Sequence, residues 1–252
     1  MALRPSIRGL RGAIGFLTRL PIETDETDWD RFRAFPAAFP IVAYLIGAIA
    51  SVPFLIGDFA PTIAAFGYLF VLIVLIGIPH LDGVADLGDA MAAHGEDASR
   101  RALKDTKTGV GAIVAVGFVL VGLALAALAL SGLPVSVAVG LVIAAEVGAK
   151  LGMATVACLG TASHEGFGSA FTEEADAELL LGPLLASVPA ALIVFPSIAG
   201  AAAVAVGPFV AIVLIRWGNR TLGGVNGDVF GATNELARLF ALHVGVIAWT
   251  LS

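Results

Sequence analysis

Between residues 179 and 215 the chain runs 37 positions without a charge, and shorter runs of the same kind recur along it. A helix needs about 20 apolar residues to cross about 30 Å of hydrocarbon. Runs at 34–57, 59–79 and 111–130 each have that length, and a fourth starts after "SGLP" and continues to about Leu159. The 179–215 run is long enough for two short crossings with a break near Pro196 or Gly200. The last, 239–252, is short and reads as tilted, partial or packed on other helices. The expectation is an all-α, polytopic integral membrane helical bundle of six or seven segments. Composition agrees: 58% of residues are hydrophobic, 13% are charged and mean hydropathy is +0.96, against about 45–50% apolar and about 25% charged in soluble domains. One membrane-embedded domain over 1–252 is the simplest partition.

Charge then assigns the sides. If the arginine-rich start is cytoplasmic, alternation puts segments 1–33, 80–109, 160–178 and 216–238 on that side, and they hold 31 of the 34 charged residues. The other three are Asp58 in an outer turn and the pair Glu146 and Lys150 inside the fourth run. Thirteen of the 14 Lys and Arg fall inside and none in an outer connection, as the positive-inside rule requires. The polar chemistry of the chain is therefore expected at the cytoplasmic face of the cell membrane. At the amino terminus, Arg4, Arg8, Arg11 and Arg19 share one side of a helix, opposite Leu3, Ile7, Leu10, Ile14 and Leu17. That pattern suits an interfacial helix on the bilayer rather than a secretory signal. A net charge of −6 argues against nucleic-acid binding. The single cysteine, Cys158, excludes an intramolecular disulfide and reads as packing.

Three cytoplasmic stretches carry chemistry. In "HLDGVADLGDA" a helix continuing from Pro79 sets Asp82, Asp86 and Asp89 at i, i+4 and i+7, on one face. Carboxylates so placed repel unless a cation lies between them, and Mg²⁺ favours carboxylates together with substrate phosphates. The alternative is an acidic, solvated helix end. Gly83 and Gly88 are expected to leave room for a substrate. In "RRALKDTKTGVGA", Arg100, Arg101, Lys104 and Lys107 are donors for phosphate oxygens and Asp105 adds a carboxylate, while the same cations also serve as a topological anchor. In "RTLGGVNGDVFGATNEL", Gly224 and Gly227 allow close backbone approach to a ligand, and Asn226, Asp228, Asn234 and Glu235 supply oxygens or hydrogen bonds. If 226–238 is helical, Asp228 and Glu235 share a face and complete a site of one or two metals.

Other residues are more ambiguous. Glu146 and Lys150 pair at i, i+4 as a structural couple or a functional one, since ionisable groups at membrane depth usually face a cavity. His164 and Glu165 in "SHEGFGSAF" are substrate contacts or members of a plain connector, and His80 is either a proton acceptor or the end of a span. His94 and His243 read as structural.

The stretches "FLTRLPI", "FPIVAYLIG", "HLDGVADLGDA", "LKDTKTGVGA", "EGFGSAF" and "GGVNGDVFGATNEL" are collinear and cover most of the chain. Together they resemble the cobalamin synthase family, the adenosylcobinamide-GDP ribazoletransferases. The resemblance implies a polytopic, Mg²⁺-dependent enzyme acting on adenosylcobinamide-GDP and alpha-ribazole or its 5′-phosphate. On that reading Asp82, Asp86 and Asp89, with Asp228 or Glu235, hold Mg²⁺ on the diphosphate. Lys104 and Lys107 neutralise the leaving GMP, and Asp105, Lys150, His164, Gly224, Asn226 and Gly227 line the substrates. His80 or one of Asp82 and Asp86 takes the nucleophile's proton. The partners implied are these small molecules, the lipid bilayer and, as an assembly state, a homo-oligomer. Competing readings are a CDP-alcohol phosphotransferase or a prenyltransferase, or a cation-coupled transporter relaying through Glu146 and Lys150. The first usually has D-G-x-x-A-R, whereas Asp86 follows Ala85 here; the second usually has two acidic D-x-x-D helices, whereas "DLGD" is one.

Overall fold

The computed structural model describes residues 7–56, 60–93, 95–103 and 107–252. Its helices, in chain order, are α1 (Ile7–Leu17), α2 (Glu26–Arg33), α3 (Ala38–Ala50), α4 (Val52–Leu55), α5 (Pro61–Ile76), α6 (Pro79–Ala92) and α7 (Glu96–Ala102). They continue as α8 (Val110–Leu130), α9 (Val135–Leu159), α10 (Phe167–Thr172), α11 (Leu181–Ala191), α12 (Ala199–Thr221) and α13 (Gly227–Thr250). Among the described residues there is no β-strand, as expected of an all-α bundle.

The expected six or seven segments become fewer. Among the described residues three helices, α8, α9 and α12, are long and apolar enough to cross a membrane, or up to five spans if the bent pairs α2–α3 and α5–α6 are each one. The uncharged run at 34–57 splits into α3 and α4, and 13 residues of α3 rise only about 20 Å. The 179–215 run does break near Pro196, between α11 and α12. Residues 239–252 are not a separate short segment: they are the far half of α13, which starts at Gly227. An uncharged run records where burial is tolerated, whereas helix ends are set by caps and breakers, so the two need not coincide.

α9 is the axis. It packs against α3, α12 and α13, and 89% of its most apolar 18-residue stretch is buried. Gly148 and Gly152 form a small-xxx-small pair on α9. A β-carbon on Gly207 of α12 would sit 1.7 Å from the Gly148 carbonyl oxygen, so these two helices touch through their backbones. The outward faces are apolar instead: Phe66 and Phe70 on α5, Ile113 and Phe118 on α8 and Phe209 on α12 are all exposed. Exposed large apolar side chains of this kind are consistent with an all-α membrane bundle.

α1 departs from a simple interfacial helix. Arg8 and Arg11 do not line a free polar face; they pair with Asp25 and Asp28 at the start of α2, at 3.2 Å and 3.1 Å. Asp28 is fully buried there, and Gly12 lets α1 lie directly on its backbone. Arg4 lies outside the described residues. On the other side of this hairpin an aromatic cluster of Phe16, Trp29, Phe32, Phe167 and Phe171 ties α1 and α2 to α10.

Candidate active site

Gly77 adopts φ 78°, a left-handed conformation that suits glycine, and Pro79 follows at the first turn of α6. The chain bends by 97° between α5 and α6. α6 therefore leaves the direction of the span, and its carboxylates lie at the end of the bundle. Asp82 is exposed, while Asp86 and Asp89 are half-buried.

Glycine decides what α6 touches. A β-carbon on Gly83 would come within 2.8 Å of the Asp228 carbonyl oxygen, and one on Gly231 within 3.1 Å of the His80 backbone. A β-carbon on Gly88 would lie 2.7 Å from the carbonyl oxygen of Gly111. The space expected for substrate at Gly83 and Gly88 is thus filled by α13 and α8. The consequence is a new juxtaposition: Asp82 and Asp86 of α6 meet Asp228 in the first turn of α13.

Electrostatics register that meeting. Burial raises Asp86 to about 6, helped by the charges of Asp228, Asp82 and Asp89. Asp228 is also raised, by burial and by Asp82, against a hydrogen bond from Asn226 and the nearby His164. Among the described residues no three His, Cys, Asp or Glu side chains form a complete metal-holding group. The donor chemistry fits Mg²⁺ only if substrate phosphates and water supply the rest, which is the habit of that ion.

The two remaining acidic residues of the expected metal set have other partners. Asp89 Oδ2 accepts the Gly109 amide at 2.7 Å and Oδ1 accepts the Ala112 amide at 2.9 Å. It caps the start of α8 and fastens that helix to α6. Glu235 is 5% exposed, with Oε1 accepting from Asn234 at 2.9 Å and Oε2 from Arg238 at 2.6 Å. Asp228 and Glu235 do lie on one helix, but Glu235 turns into the bundle.

Glu235 belongs to an interior charge cluster. Arg238 takes both oxygens of Glu146, through Nε and through Nη2 at 3.1 Å, and grips Glu235 with Nη1. Lys150 has no exposed surface; its Nζ donates to Asn234 Oδ1 at 2.6 Å and lies 3.7 Å from Glu146. The expected Glu146–Lys150 pair exists, but Lys150 reaches Asn234 rather than open space, so it is not a direct substrate contact. Arg238 was not singled out by the sequence. Its signal was present: Asn234, Glu235 and Arg238 occupy one helical turn that runs without interruption into the apolar 239–250 stretch.

Further expectations sort by position. Asn226 is the amino-terminal cap of α13: its Oδ1 accepts the Val229 amide at 3.1 Å while its Nδ2 donates to Asp228 at 2.8 Å. Its side chain thereby orients the Asp228 carboxylate. Gly224 does permit a close approach, but to protein: a β-carbon there would lie 2.5 Å from the Thr161 carbonyl oxygen. Two backbone hydrogen bonds, Val225 to Thr161 at 2.8 Å and Ser163 to Val225 at 2.9 Å, join these loops. That clasp holds exposed His164 on the side of Asp228. Lys107 is exposed just before α8. Lys104, Asp105, Asp58 and His94, and the side chain of Arg100, lie outside the described residues.

A cavity of about 270 Å³ opens at the junction, lined by His80, Gly227 and Asp228 on one wall and by Phe16, Met153, Phe167 and Phe230 on others. Phe16 and Phe167 stack with centroids 4.9 Å apart. The geometry offers one carboxylate, Asp228, a histidine, and an apolar wall with two flat rings. That set suits an anionic phosphate ester with an aromatic or apolar portion.

Comparison with known proteins narrows the class. Residues 9–246 match the model of the cobalamin-5-phosphate synthase family. A Halorubrum lacusprofundi protein named adenosylcobinamide-GDP ribazoletransferase is 47% identical over 97% of this chain and 98% of its own length. Relatives with the same name from Haloquadratum walsbyi (41% identical, 97% of this chain, 99% of the relative) and Halobacterium salinarum (50%, 74% and 94%) are similar too. No solved structure matches. With the match spanning α1 to α13, this chain belongs to the cobalamin-5-phosphate synthase family of transferases.

Proposed function

We propose that this chain joins adenosylcobinamide-GDP to alpha-ribazole, or its 5′-phosphate, and releases GMP in the cobalamin nucleotide loop. The ribazole hydroxyl oxygen forms a bond to the phosphorus on the aminopropanol arm of cobinamide. The bond from that phosphorus to the bridging oxygen breaks and its electron pair leaves with GMP. The hydroxyl proton passes to a carboxylate of the site. The observation that carries the reading is the cavity lined by His80 and Asp228, with the charges of Asp82 and Asp86 felt at the same helix junction, in a chain of this family.

Mg²⁺ would be held here by members of the set Asp82, Asp86 and Asp228 together with substrate phosphates and water, since no three of the described side chains form a metal-holding group by themselves. Bound there, the ion would neutralise charge on the diphosphate, for which positioning and electrostatics supply most of the catalysis. Burial and the neighbouring carboxylates raise Asp86 to about 6, which is the repulsion a bound cation would relieve. Asp89 ties Gly109 to α6, which keeps Lys107 near the acidic face; with Lys104 it would meet the departing GMP phosphate. His164, on the loop clasped to Val225, is a further substrate contact. The charge asymmetry of the loops favours a multi-pass protein of the cell membrane with this face toward the cytoplasm.

The test is purified protein in lipid with adenosylcobinamide-GDP, alpha-ribazole and Mg²⁺, followed by mass spectrometry. Cobalamin and equimolar GMP are expected, and both should vanish with EDTA. No product where a relative of established activity turns over would overturn the reading.

A further inference from the structure

We propose that Lys150 and Asn234 fix His80 as a hydrogen-bond donor to a phosphoryl oxygen, and not as the base of the reaction. The argument starts at Lys150, whose ammonium has donors and no acceptor. Buried and 2.6 Å from Asn234 Oδ1, it settles which way the amide faces. The Nδ2 group then points the other way, and each of its two hydrogens has a partner: Glu235 Oε1 at 2.9 Å and His80 Nδ1 at 3.1 Å. Turning the amide over would set NH₂ against the ammonium and its oxygen against the Glu235 carboxylate.

Nδ1 of His80 therefore receives a hydrogen bond and must keep its lone pair. A neutral ring in that state carries its proton on Nε2, which is unsuited to taking a proton from a nucleophile. Protonating Nδ1 toward Glu235, 3.8 Å away, would drive it against the Asn234 hydrogens. Arg238 supports the arrangement from behind: by holding Glu235 Oε2 at 2.6 Å, it leaves Oε1 on Asn234. His80 itself lines the cavity beside Asp228. The ring thus carries its N–H on Nε2, in a residue that lines the cavity together with Asp228, and the ligand atom such a donor suits is an anionic oxygen. That this oxygen belongs to the diphosphate rests on the transferase reading; the ring state does not. Lys150 and Asn234 are positioning residues acting through His80.

The experiment uses the full chain in lipid nanodiscs labelled with ¹⁵N-histidine. His80→Gln identifies the His80 signals among the four histidines. At neutral pH the parent should show Nδ1 bare and Nε2 protonated; a protonated Nδ1 would overturn the proposal. Asn234→Asp offers a carboxylate oxygen in place of NH₂ and should move the proton to Nδ1. An unchanged spectrum would break the link to Asn234. Lys150→Met should give a mixture of both ring states, and if it fails to fold, Asn234→Asp carries the test alone. In the turnover assay, His80→Gln keeps an N–H near the Nε2 position and should retain activity within about tenfold, whereas His80→Ala should lose about 100-fold or more. Equal loss in both would remove the donor role. The spectra decide the ring state even if the substrates prove to be others.

Discussion

Two groups of charged residues share one helix, α13, which meets α9 in the first group and α6 in the second, and they meet opposite fates. Glu146, Lys150, Glu235 and Arg238 are buried, but positive and negative charges match and each side chain has a short partner. Asp82, Asp86 and Asp228 lie closer to solvent, yet their like charges press on one another. A closed network fixes helices; an unbalanced one leaves repulsion that is not met from within the protein. The same carboxylate chemistry is structural in the first group and available to a ligand in the second, and what separates them is the supply of cations within reach. Glu235 shows how sharp the division is, because Arg238, three residues on, is enough to move it from one group to the other.

The comparison breaks most violently at its buried end. Replacing Arg238 with Met leaves the buried Glu146 and Glu235 with Lys150, 3.7 Å from Glu146, as the one remaining cation of the cluster, and a loss of about 3–5 kcal/mol is expected. Thermal unfolding in detergent should show it as a collapse of Tm or of folded yield; a parent-like melt would mean the cluster is not closed as described. At the open end the sign is reversed. Asp82→Ala should leave the melt intact and lower turnover by roughly 100- to 1,000-fold, and near-normal turnover would remove Asp82 from the site.

A control outside both groups is Gly207→Ala. The added carbon collides with the Gly148 carbonyl, so α9 and α12 must separate, at a cost of about 1–3 kcal/mol. A neutral effect in a thermal melt would show that the helix crossing yields easily. A subtler distinction follows from acidity. Asp86 binds its proton more tightly folded, at about 6, than at its ordinary value of 3.8. Without metal it therefore favours the folded state at low pH, and this contribution is lost as pH rises between about 4 and 6. Asp86→Asn, which has no charge to lose, should be more stable than the parent in EDTA above pH 6. The difference should close toward pH 4, and a gap independent of pH would contradict the crowding of carboxylates. The smallest effect belongs to Asp89→Ala, which removes the cap of α8 for about 1 kcal/mol. A loss of Mg²⁺-dependent turnover comparable to Asp82→Ala would instead return Asp89 to the metal set.

Periodicity and composition went far in this chain. The all-α membrane character, the helix after Pro79, the break near Pro196 and the identity of the acidic and glycine-rich stretches follow from spacing, because helical faces and uncharged runs are local properties. The family resemblance was carried by the same stretches. Helix lengths were less accessible: α13 begins at Gly227, since the Asn226 cap starts it well before the apolar run does.

Partnership is where sequence stops. Glu146 and Arg238 are 92 positions apart, and no local pattern joins them. Gly83, Gly88 and Gly224 look from sequence like room for a ligand, but space beside a glycine is occupied by whatever the fold brings there, and here that is other backbone. The chain alone determined which residues have carboxylates, cations and small side chains, and on which helical face each stands, because those depend on covalent order and a 3.6-residue repeat. Only the tertiary structure decided that Asp228 joins Asp82 and Asp86 while Glu235 and Asp89 do not. Whether a carboxylate meets an arginine, an amide or another carboxylate depends on how distant helices cross.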